Sequence, residues 1–144
     1  MTEQKAHGIA RRCQGSERGR LMLRLAENPE RYWGQKVGSG QCVDFVRLVC
    51  ALPPTSRWRA GTRVRDVVCE PGTPIATFDN DGRYANRTDG ASHCAVLVEA
   101  TPAGLDVWDQ WRNRPVHRRL IRYKRGEGPP ADDGDAYRLI EIAG

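Results

Sequence analysis

Ser39-Gly-Gln-Cys-Val-Asp-Phe-Val-Arg-Leu-Val-Cys50 is the stretch from which most of the fold can be predicted. Small residues lead into Cys42, and the apolar residues that follow recur with the spacing of one buried helix face: Phe45, Val46 and Val49. Cys42 is therefore expected in the first turn of a core helix. There, unpaired N–H groups and the helix dipole favour a thiolate, the form that attacks carbonyls. The alternative is structural, because free cysteine is among the most buried residue types.

The chain before this stretch is predicted to form an arm, a helix and a loop. Residues 1–15 show no periodicity and are expected to be a flexible arm, with residues 16–144 as a single domain. Apolar residues share one side of the segment 17–27, which predicts an amphipathic helix that ends before Pro29. The aromatic, glycine-rich segment 31–40 is then expected to be a loop that leads to the Cys42 helix.

The chain beyond the helix is predicted to be rich in strands. Pro53 and Pro54 end the helix, and the basic segment 55–66 is expected to be a long connection. Apolar runs bounded by turn residues predict five strands, at 75–78, 93–100, 105–111, 115–123 and 136–143. The second and third of these form a hairpin around a four-residue turn. Helices followed by antiparallel strands indicate an α+β fold.

The cysteines argue against a structural metal site. Their number is odd and no Cys-x-x-Cys pair occurs, which disfavours a zinc ribbon or finger. An odd number leaves at least one thiol unpaired, as a cysteine enzyme requires. Disulfides among the others stay open: Cys13, Cys42, Cys50, Cys69 and Cys94. We expect neither a metal nor another cofactor.

Charge and hydropathy restrict the partners and the location of the protein. The 144-residue chain carries a formal net charge of +5, which favours an anionic partner such as nucleic acid, anionic lipid or the bacterial cell wall. Residues 1–20 are polar and no apolar run has the length of a transmembrane helix, so neither a signal peptide nor a membrane span is predicted. We expect a protein that is made in the cytoplasm and whose export uses a route that requires no cleavable N-terminal signal.

A cysteine nucleophile needs a base and a third group that orients the base. His93 is the candidate base because it opens a strand directly after a loop, whereas His7 lies in the arm and His117 in a basic strand. The hairpin brings Asp109 and Gln110 close to His93. Asp109 is preferred because a carboxylate stabilises the imidazolium, and Gln110 is the open alternative because the register is not fixed. The structural alternatives are a hydrogen-bonded His93 and an Asp109 paired with a nearby arginine.

Taken in this order, the motifs resemble the NlpC-type and CHAP cysteine amidase/endopeptidase superfamily, papain-like enzymes that cut peptidoglycan peptides. The resemblance rests on Gly40-Gln41-Cys42 opening a helix, Ser92-His93-Cys94-Ala95-Val96 opening a strand, and Val107-Trp108-Asp109-Gln110 in the partner strand. It covers about residues 30–123. This sequence departs from the CHAP pattern at Ser92, where glycine is usual, and at Trp111, where many members have asparagine.

The resemblance implies a papain-like α+β fold with N-terminal helices packed on an antiparallel sheet. It implies that Cys42 is the nucleophile, His93 the general base and Asp109 the orienting group, while Gln41 and the Cys42 backbone N–H help to bind the oxyanion. Small size, basic charge and the lack of a signal peptide are similar to the cell-wall amidase effectors that bacteria inject by type VI secretion. Such an effector would act on peptidoglycan stem peptides in the periplasm of a target cell and be matched by an immunity protein.

Two further features have open interpretations. Four aromatic residues are candidates for lining a substrate groove, the alternative being ordinary packing: Trp33, Trp58, Tyr84 and Trp108. The arginine-rich run 112–125 is either a contact for an anionic wall or an acidic immunity protein, or a solvated sheet face. A non-catalytic basic module that binds nucleic acid or the cell wall is the alternative function, although scattered basic residues disfavour nucleic acid.

Overall fold

The computed structural model describes residues 25–144, which form a six-stranded sheet and one α-helix. Helix α1 spans Cys42–Cys50. The strands are β1 (Trp58–Arg63), β2 (Pro74–Thr77), β3 (Cys94–Ala100), β4 (Gly104–Trp111), β5 (Arg114–Arg122) and β6 (Tyr137–Ile142). Their order across the sheet is β1-β6-β2-β3-β4-β5, and every neighbouring pair is antiparallel. The predicted α+β class is confirmed.

The predicted arm, residues 1–15, and most of the predicted helix 17–27 lie outside the described residues. Residues 25–27 are described and are not helical. The segment 31–40 is largely a loop, as expected, and a short 3-10 turn at Pro29–Tyr32 leads into it. Within the described part of the chain, α1 is thus the one α-helix that packs on the sheet, and no helix there is long and apolar enough to cross a bilayer.

Helix α1 begins at Cys42, as its apolar spacing predicts, and the residues before it shape this start. Gly38 and Gly40 have φ values of 59° and 94°, in the left-handed region that favours glycine. A Cβ at Gly38 would lie 2.7 Å from Asp44 Oδ2. That carboxylate accepts hydrogen bonds from the Ser39 backbone N–H at 2.7 Å and from Ser39 Oγ at 2.6 Å. Asp44 therefore ties the glycine loop to the first turn of the helix.

Apolar side chains pack on both faces of the sheet. The face that carries α1 buries Phe45, Val46, Trp58, Val96, Trp108 and Ile140. The opposite face buries Val64, Ile75, Leu97, Leu105, Ile121 and Tyr137. Full burial of one such side chain stabilises the fold by about 1.5–3 kcal/mol. The first four residues of β3 are buried, as its near-continuous apolar run predicts for a central strand.

Strand β1 lies in the segment 55–66, which the sequence predicts as a connection, and it is the strand that sequence reasoning missed. It pairs with β6, where Trp58 faces Ile142. The register shifts between Ala60 and Arg63, and most of its side chains are only half-buried. Because β1 is a basic strand at the edge of the sheet, it lacks the alternation that reveals a half-buried strand.

A bulge in the predicted β3–β4 hairpin sets which residues share a face. Near the turn, Ala100 faces Leu105, whereas farther along Leu97 faces Val107. The register therefore shifts by one residue around Val98. Side chains alternate between the two faces of a strand. A register shift of one residue therefore changes which β4 residues share a face with a given β3 residue beyond the bulge.

Candidate active site

Cys42 is nearly buried at the start of α1. It is 8% exposed and packs in the same apolar cluster as Cys94, the first residue of β3. Its Sγ lies 3.6 Å from the hydroxyl oxygen of Tyr84, which is 6% exposed. The fold thus brings the first residue of the helix to the start of the central strand.

Gln110, fully buried in β4, fixes the loop that leads to Cys42. Its Oε1 accepts a hydrogen bond from the Val37 backbone N–H at 3.0 Å, and its Nε2 donates to the carbonyl oxygens of Val37 and Gln41, both at 2.8 Å. Gln41 is the extended N-cap residue of α1. Sequence reasoning considered Gln110 only as the alternative to Asp109, and no motif revealed this positioning role.

His93 and Asp109 form a short buried contact. His93 Nε2 lies 2.7 Å from Asp109 Oδ2, and the two residues are 6% and 0% exposed. If the register beyond the bulge is continued, His93 faces Trp111 and shares a face with Asp109, two residues away. Without the bulge, His93 would share its face with Gln110. The bulge therefore explains why Asp109 is the residue that contacts His93.

Asp109 has further basic neighbours on β5. Arg119 Nε donates to Asp109 Oδ2 at 2.9 Å. Oδ1 is the one buried side-chain oxygen or nitrogen without a hydrogen bond among residues 25–144, and His117 Nε2 lies 3.7 Å from it. His117 Nδ1 donates to the Pro115 carbonyl at 2.9 Å, which orients the ring. His117 thus borders the carboxylate.

The pKa of the Cys42 thiol is held well below its usual value of 9.0. A hydrogen bond with Cys94 is the largest cause, burial opposes it, and interactions with His93 and Tyr84 lower the pKa further. Burial raises the pKa of both Cys94 and Tyr84, so both groups stay protonated and can donate to the thiolate. The N-terminus of α1 acts in the same direction.

The pKa of His93 is raised to about 9. Burial lowers this pKa, but hydrogen bonds with Asp109 and Cys42 outweigh burial. Burial raises the pKa of Asp109, but His93 and Arg119 hold it below its usual range. The lowered pKa of Cys42 and the raised pKa of His93 both favour a thiolate–imidazolium pair, beside the Asp109 carboxylate. Because His93 Nε2 contacts Asp109, Nδ1 is the ring nitrogen available to Cys42.

A cleft of about 470 Å³ opens beside these groups. Gln41, Cys42 and His93 line it. Trp111, which was not predicted as a lining residue, also lies in its wall.

The three tryptophans predicted to line a groove lie elsewhere. Trp33 is 64% exposed and packs edge-on against Trp108, with ring centroids 5.2 Å apart. Trp108 points from β4 toward the α1 face, and Trp58 is fully buried against Tyr84 at 5.1 Å. None of these three tryptophans lines the cleft beside Cys42. Each of the three packs against another aromatic ring.

Trp111 is the tryptophan that lines the cleft beside Cys42. Its ring packs edge-on against His93 at 6.2 Å and against His117 at 4.9 Å. The guanidinium carbon of Arg119 lies 4.9 Å from the ring centroid. The available signal was its position in the hairpin, where the CHAP pattern usually has another residue type.

The other cysteines show that the environment, rather than the residue type, activates Cys42. Cys50, at the other end of α1, is a buried free thiol whose pKa is raised by burial to about 12. Cys94 is also a buried free thiol, and Cys69 is disulfide-bonded. Two thiols of one helix thus have pKa values shifted in opposite directions, since Cys42 interacts with Cys94, His93 and Tyr84, whereas burial dominates at Cys50.

The site has the groups that nucleophilic acyl transfer requires: an activated thiol, a basic imidazole and a buried carboxylate that orients it. Among residues 25–144, no cluster of three or more His, Cys, Asp or Glu side chains is arranged to hold a metal ion.

The chain is similar to amidase effectors in sequence and in structure. A family model described as "Domesticated amidase effector 2" matches residues 21–140. Domesticated amidase effector 2 of Ixodes scapularis is 34% identical over an alignment of 115 residues that covers 76% of this chain and 77% of that protein. The solved structure of Type 6 secretion amidase effector 2 matches with a TM-score of 0.70 and 29% identity, covering 83% of this chain and 95% of that chain. The sequence similarity and the structural similarity both extend over most of the chain.

Proposed function

Because the chain belongs to the domesticated amidase effector 2 family, we propose that it is a papain-like cysteine hydrolase that cleaves an amide bond in peptidoglycan stem peptides. The names of its relatives support amide hydrolysis and, for the solved relative, a role as a type VI secretion effector. Cys42 is the proposed nucleophile, His93 the general base and acid, and Asp109 the residue that orients the base.

The observation that carries this proposal is the placement of Cys42. Its thiol lies at the helix start, has a lowered pKa and interacts with His93, which in turn contacts Asp109 at 2.7 Å. In the resting site the thiol proton resides on His93. The Cys42 thiolate attacks the carbonyl carbon, and the electron pair of the carbonyl moves to its oxygen.

Backbone donors at the start of α1 are proposed to stabilise this oxyanion. The first N–H groups of a helix have no partner within the helix, and Cys42 is its first residue. Gln41 lines the cleft next to it and is the proposed side-chain donor. Gln110 supports this arrangement because its Nε2 donates a hydrogen bond to the Gln41 carbonyl.

Release of the two products requires proton transfer in both directions. The imidazolium of His93 gives its proton to the leaving amine, and the C–N bond breaks to leave an acyl-enzyme on Cys42. His93 then takes a proton from water, which attacks the thioester and releases the carboxylic acid and the thiolate. Asp109 keeps the ring in place and stabilises its charged form.

The test is hydrolysis of purified sacculi by the wild type and by Cys42→Ala, with separation of the released muropeptides. Cys50→Ala is the matched control because it removes a buried thiol of the same helix that has a raised pKa. We expect products from the wild type and the control only. Identical product profiles from the wild type and Cys42→Ala would favour a non-catalytic basic module, to be tested by salt-dependent binding to the cell wall and nucleic acid.

The location and the partners of the protein are part of the same proposal. We propose an antibacterial effector that is made in the cytoplasm, is exported and acts in the periplasm of the target cell, with an immunity protein as antagonist. The type VI effector name of the solved relative supports this. Expression directed to the periplasm of a Gram-negative host should lyse the cells and depend on Cys42, whereas cytoplasmic expression should not. Equal growth of the two strains would contradict the proposal.

A further inference from the structure

The cleft beside Cys42 carries more positive charge than acyl transfer requires. Three arginines line it, Arg87, Arg112 and Arg119, against the single carboxylate of Asp132. The raised pKa of His93 adds a further positive charge next to the Cys42 thiolate. A cationic wall beside a nucleophile attracts anionic substrates and disfavours cationic ones.

Arg87 is already neutralised by the protein. Its Nε and Nη2 donate to both carboxylate oxygens of Asp79 at distances from 2.8 to 3.1 Å. This bidentate pair occupies the fork of the guanidinium. Arg87 therefore contributes less to the field of the cleft than its position alone would indicate.

Arg119 is only partly neutralised and is held rigidly. Its Nε donates to Asp109 at 2.9 Å, and its guanidinium carbon lies 4.9 Å from the Trp111 ring centroid. Its Nη1 is 3.9 Å from Asp132 Oδ1, which is beyond hydrogen-bonding distance. The terminal N–H groups of Arg119 are thus left with donor capacity at the cleft, on a side chain that needs little further ordering.

Arg112 is exposed and has no side-chain hydrogen bond or ion pair among residues 25–144. It follows Trp111 at the end of β4 and lines the same cleft. A guanidinium carries five N–H donors in a planar fork that matches the two oxygens of a carboxylate. The guanidinium of Arg112 and the terminal N–H groups of Arg119 can thus both donate to a ligand in the cleft that Cys42 lines.

We propose that Arg112 and Arg119 bind a free carboxylate of the peptide substrate, close to the amide that Cys42 attacks. This inference rests on the proposed function and names its substrate class: peptides with a carboxylate that is not part of the scissile amide. A peptide rather than a nucleic acid is the chosen ligand because the same cleft holds the thiolate and the imidazolium that act on an amide.

The experiment compares native sacculi with sacculi whose free carboxylates have been converted to amides by a carbodiimide and ammonia. The wild type is expected to lose about five- to fiftyfold in kcat/KM on the amidated substrate, the range for an exposed to partly buried charge-assisted contact. Arg112→Ala should lose a similar factor on native sacculi, mainly through KM, and little more on amidated sacculi. Arg114→Ala, an exposed arginine outside the cleft, is the control and should resemble the wild type.

A second readout separates binding from damage to the site. Arg112→Ala should leave the rate of Cys42 alkylation by iodoacetamide close to that of the wild type, because the Arg112 side chain makes no hydrogen bond or ion pair with Cys42, His93 or Asp109. Equal hydrolysis of native and amidated sacculi by an active, Cys42-dependent wild type would overturn the inference and leave the proposed function standing. Equal losses in Arg112→Ala and Arg114→Ala would also overturn it. No hydrolysis of either substrate by the wild type would remove the proposed function and the inference together.

Discussion

Replacing Gln110 by alanine tests whether this residue positions the nucleophile. The change removes three hydrogen bonds and leaves the Val37 N–H without its partner. The carbonyls of Val37 and Gln41 keep the hydrogen bonds that they accept from the backbone N–H groups of Gly40 and Asp44. A neutral hydrogen bond contributes about 1 kcal/mol net, and each buried group left unpaired costs about 1–3 kcal/mol. Since the two carbonyls keep a partner, the net value of about 1 kcal/mol per hydrogen bond applies, and the expected loss for the three bonds is about 3 kcal/mol.

The assay is urea unfolding together with Cys42 alkylation and kcat/KM. A loss of about 3 kcal/mol moves the unfolding midpoint down by roughly 1.5 M urea at an m-value of about 2 kcal/mol/M. Because Gln41 precedes the nucleophile, kcat/KM should also fall, by about tenfold or more. Gln35→Ala is the matched control, since the Gln35 side chain makes one exposed hydrogen bond, to the Arg31 carbonyl.

Gln110→Glu separates the hydrogen bonds from the volume that alanine removes. It keeps the shape and the acceptor for Val37 N–H but places a carboxylate oxygen against two carbonyls. It should destabilise at neutral pH and recover as the pH falls and the carboxyl gains a proton. If Gln110→Ala unfolds at the wild-type midpoint with unchanged alkylation of Cys42, the positioning role is wrong.

Four further predictions test the electrostatics of the site. Asp109→Asn removes a charge that raises the pKa of His93. We expect kcat to fall about 100-fold or more and the alkaline limit of activity to move to lower pH. An unchanged pH profile would show that Asp109 does not act on His93. Activity of the wild type should rise as Cys42 ionises well below pH 9 and decline near pH 9 as His93 loses its proton, and a stopped-rate pH profile measures both limits. The pKa of His93 in the folded protein is about 9, above its usual value of 6.5. The contribution of His93 to stability is therefore complete below pH 6.5 and is lost as the pH rises through about 9. Midpoints of urea unfolding that stay constant over this pH range would contradict this prediction. Cys94→Ala removes the largest cause of the lowered Cys42 pKa and should raise the midpoint of Cys42 alkylation, whereas an unchanged midpoint would exclude Cys94 as a donor.

The elements with a strong local pattern could be predicted from the sequence. The helix at Cys42–Cys50 follows from its apolar spacing, and the hairpin from two apolar runs around a short turn. Strand β1 could not be found in this way, since an irregular, basic edge strand carries no alternation. The segment 17–24 is not described and stays a prediction.

The candidate site could be predicted as far as Cys42 and His93, but the choice between Asp109 and Gln110 could not be made. That choice depends on the one-residue shift of register around Val98, which arises from tertiary pairing and leaves no pattern in the sequence. The same shift brings Trp111 to His93, while Trp108 packs toward α1. Trp111 was therefore missed because the bulge changes which residues of β4 share a face with His93.

The pH dependence of Cys42 alkylation, followed by mass spectrometry in the wild type and in His93→Ala, measures whether the helix-start thiol and the imidazole form a reactive pair. The wild type should react with iodoacetamide well below pH 9, whereas His93→Ala should need a higher pH because it loses the interactions with the imidazolium. Cys50, whose pKa is raised to about 12, provides the unreactive internal reference. Alkylation curves with the same midpoint near the ordinary thiol pKa in both proteins would show that the pair does not exist.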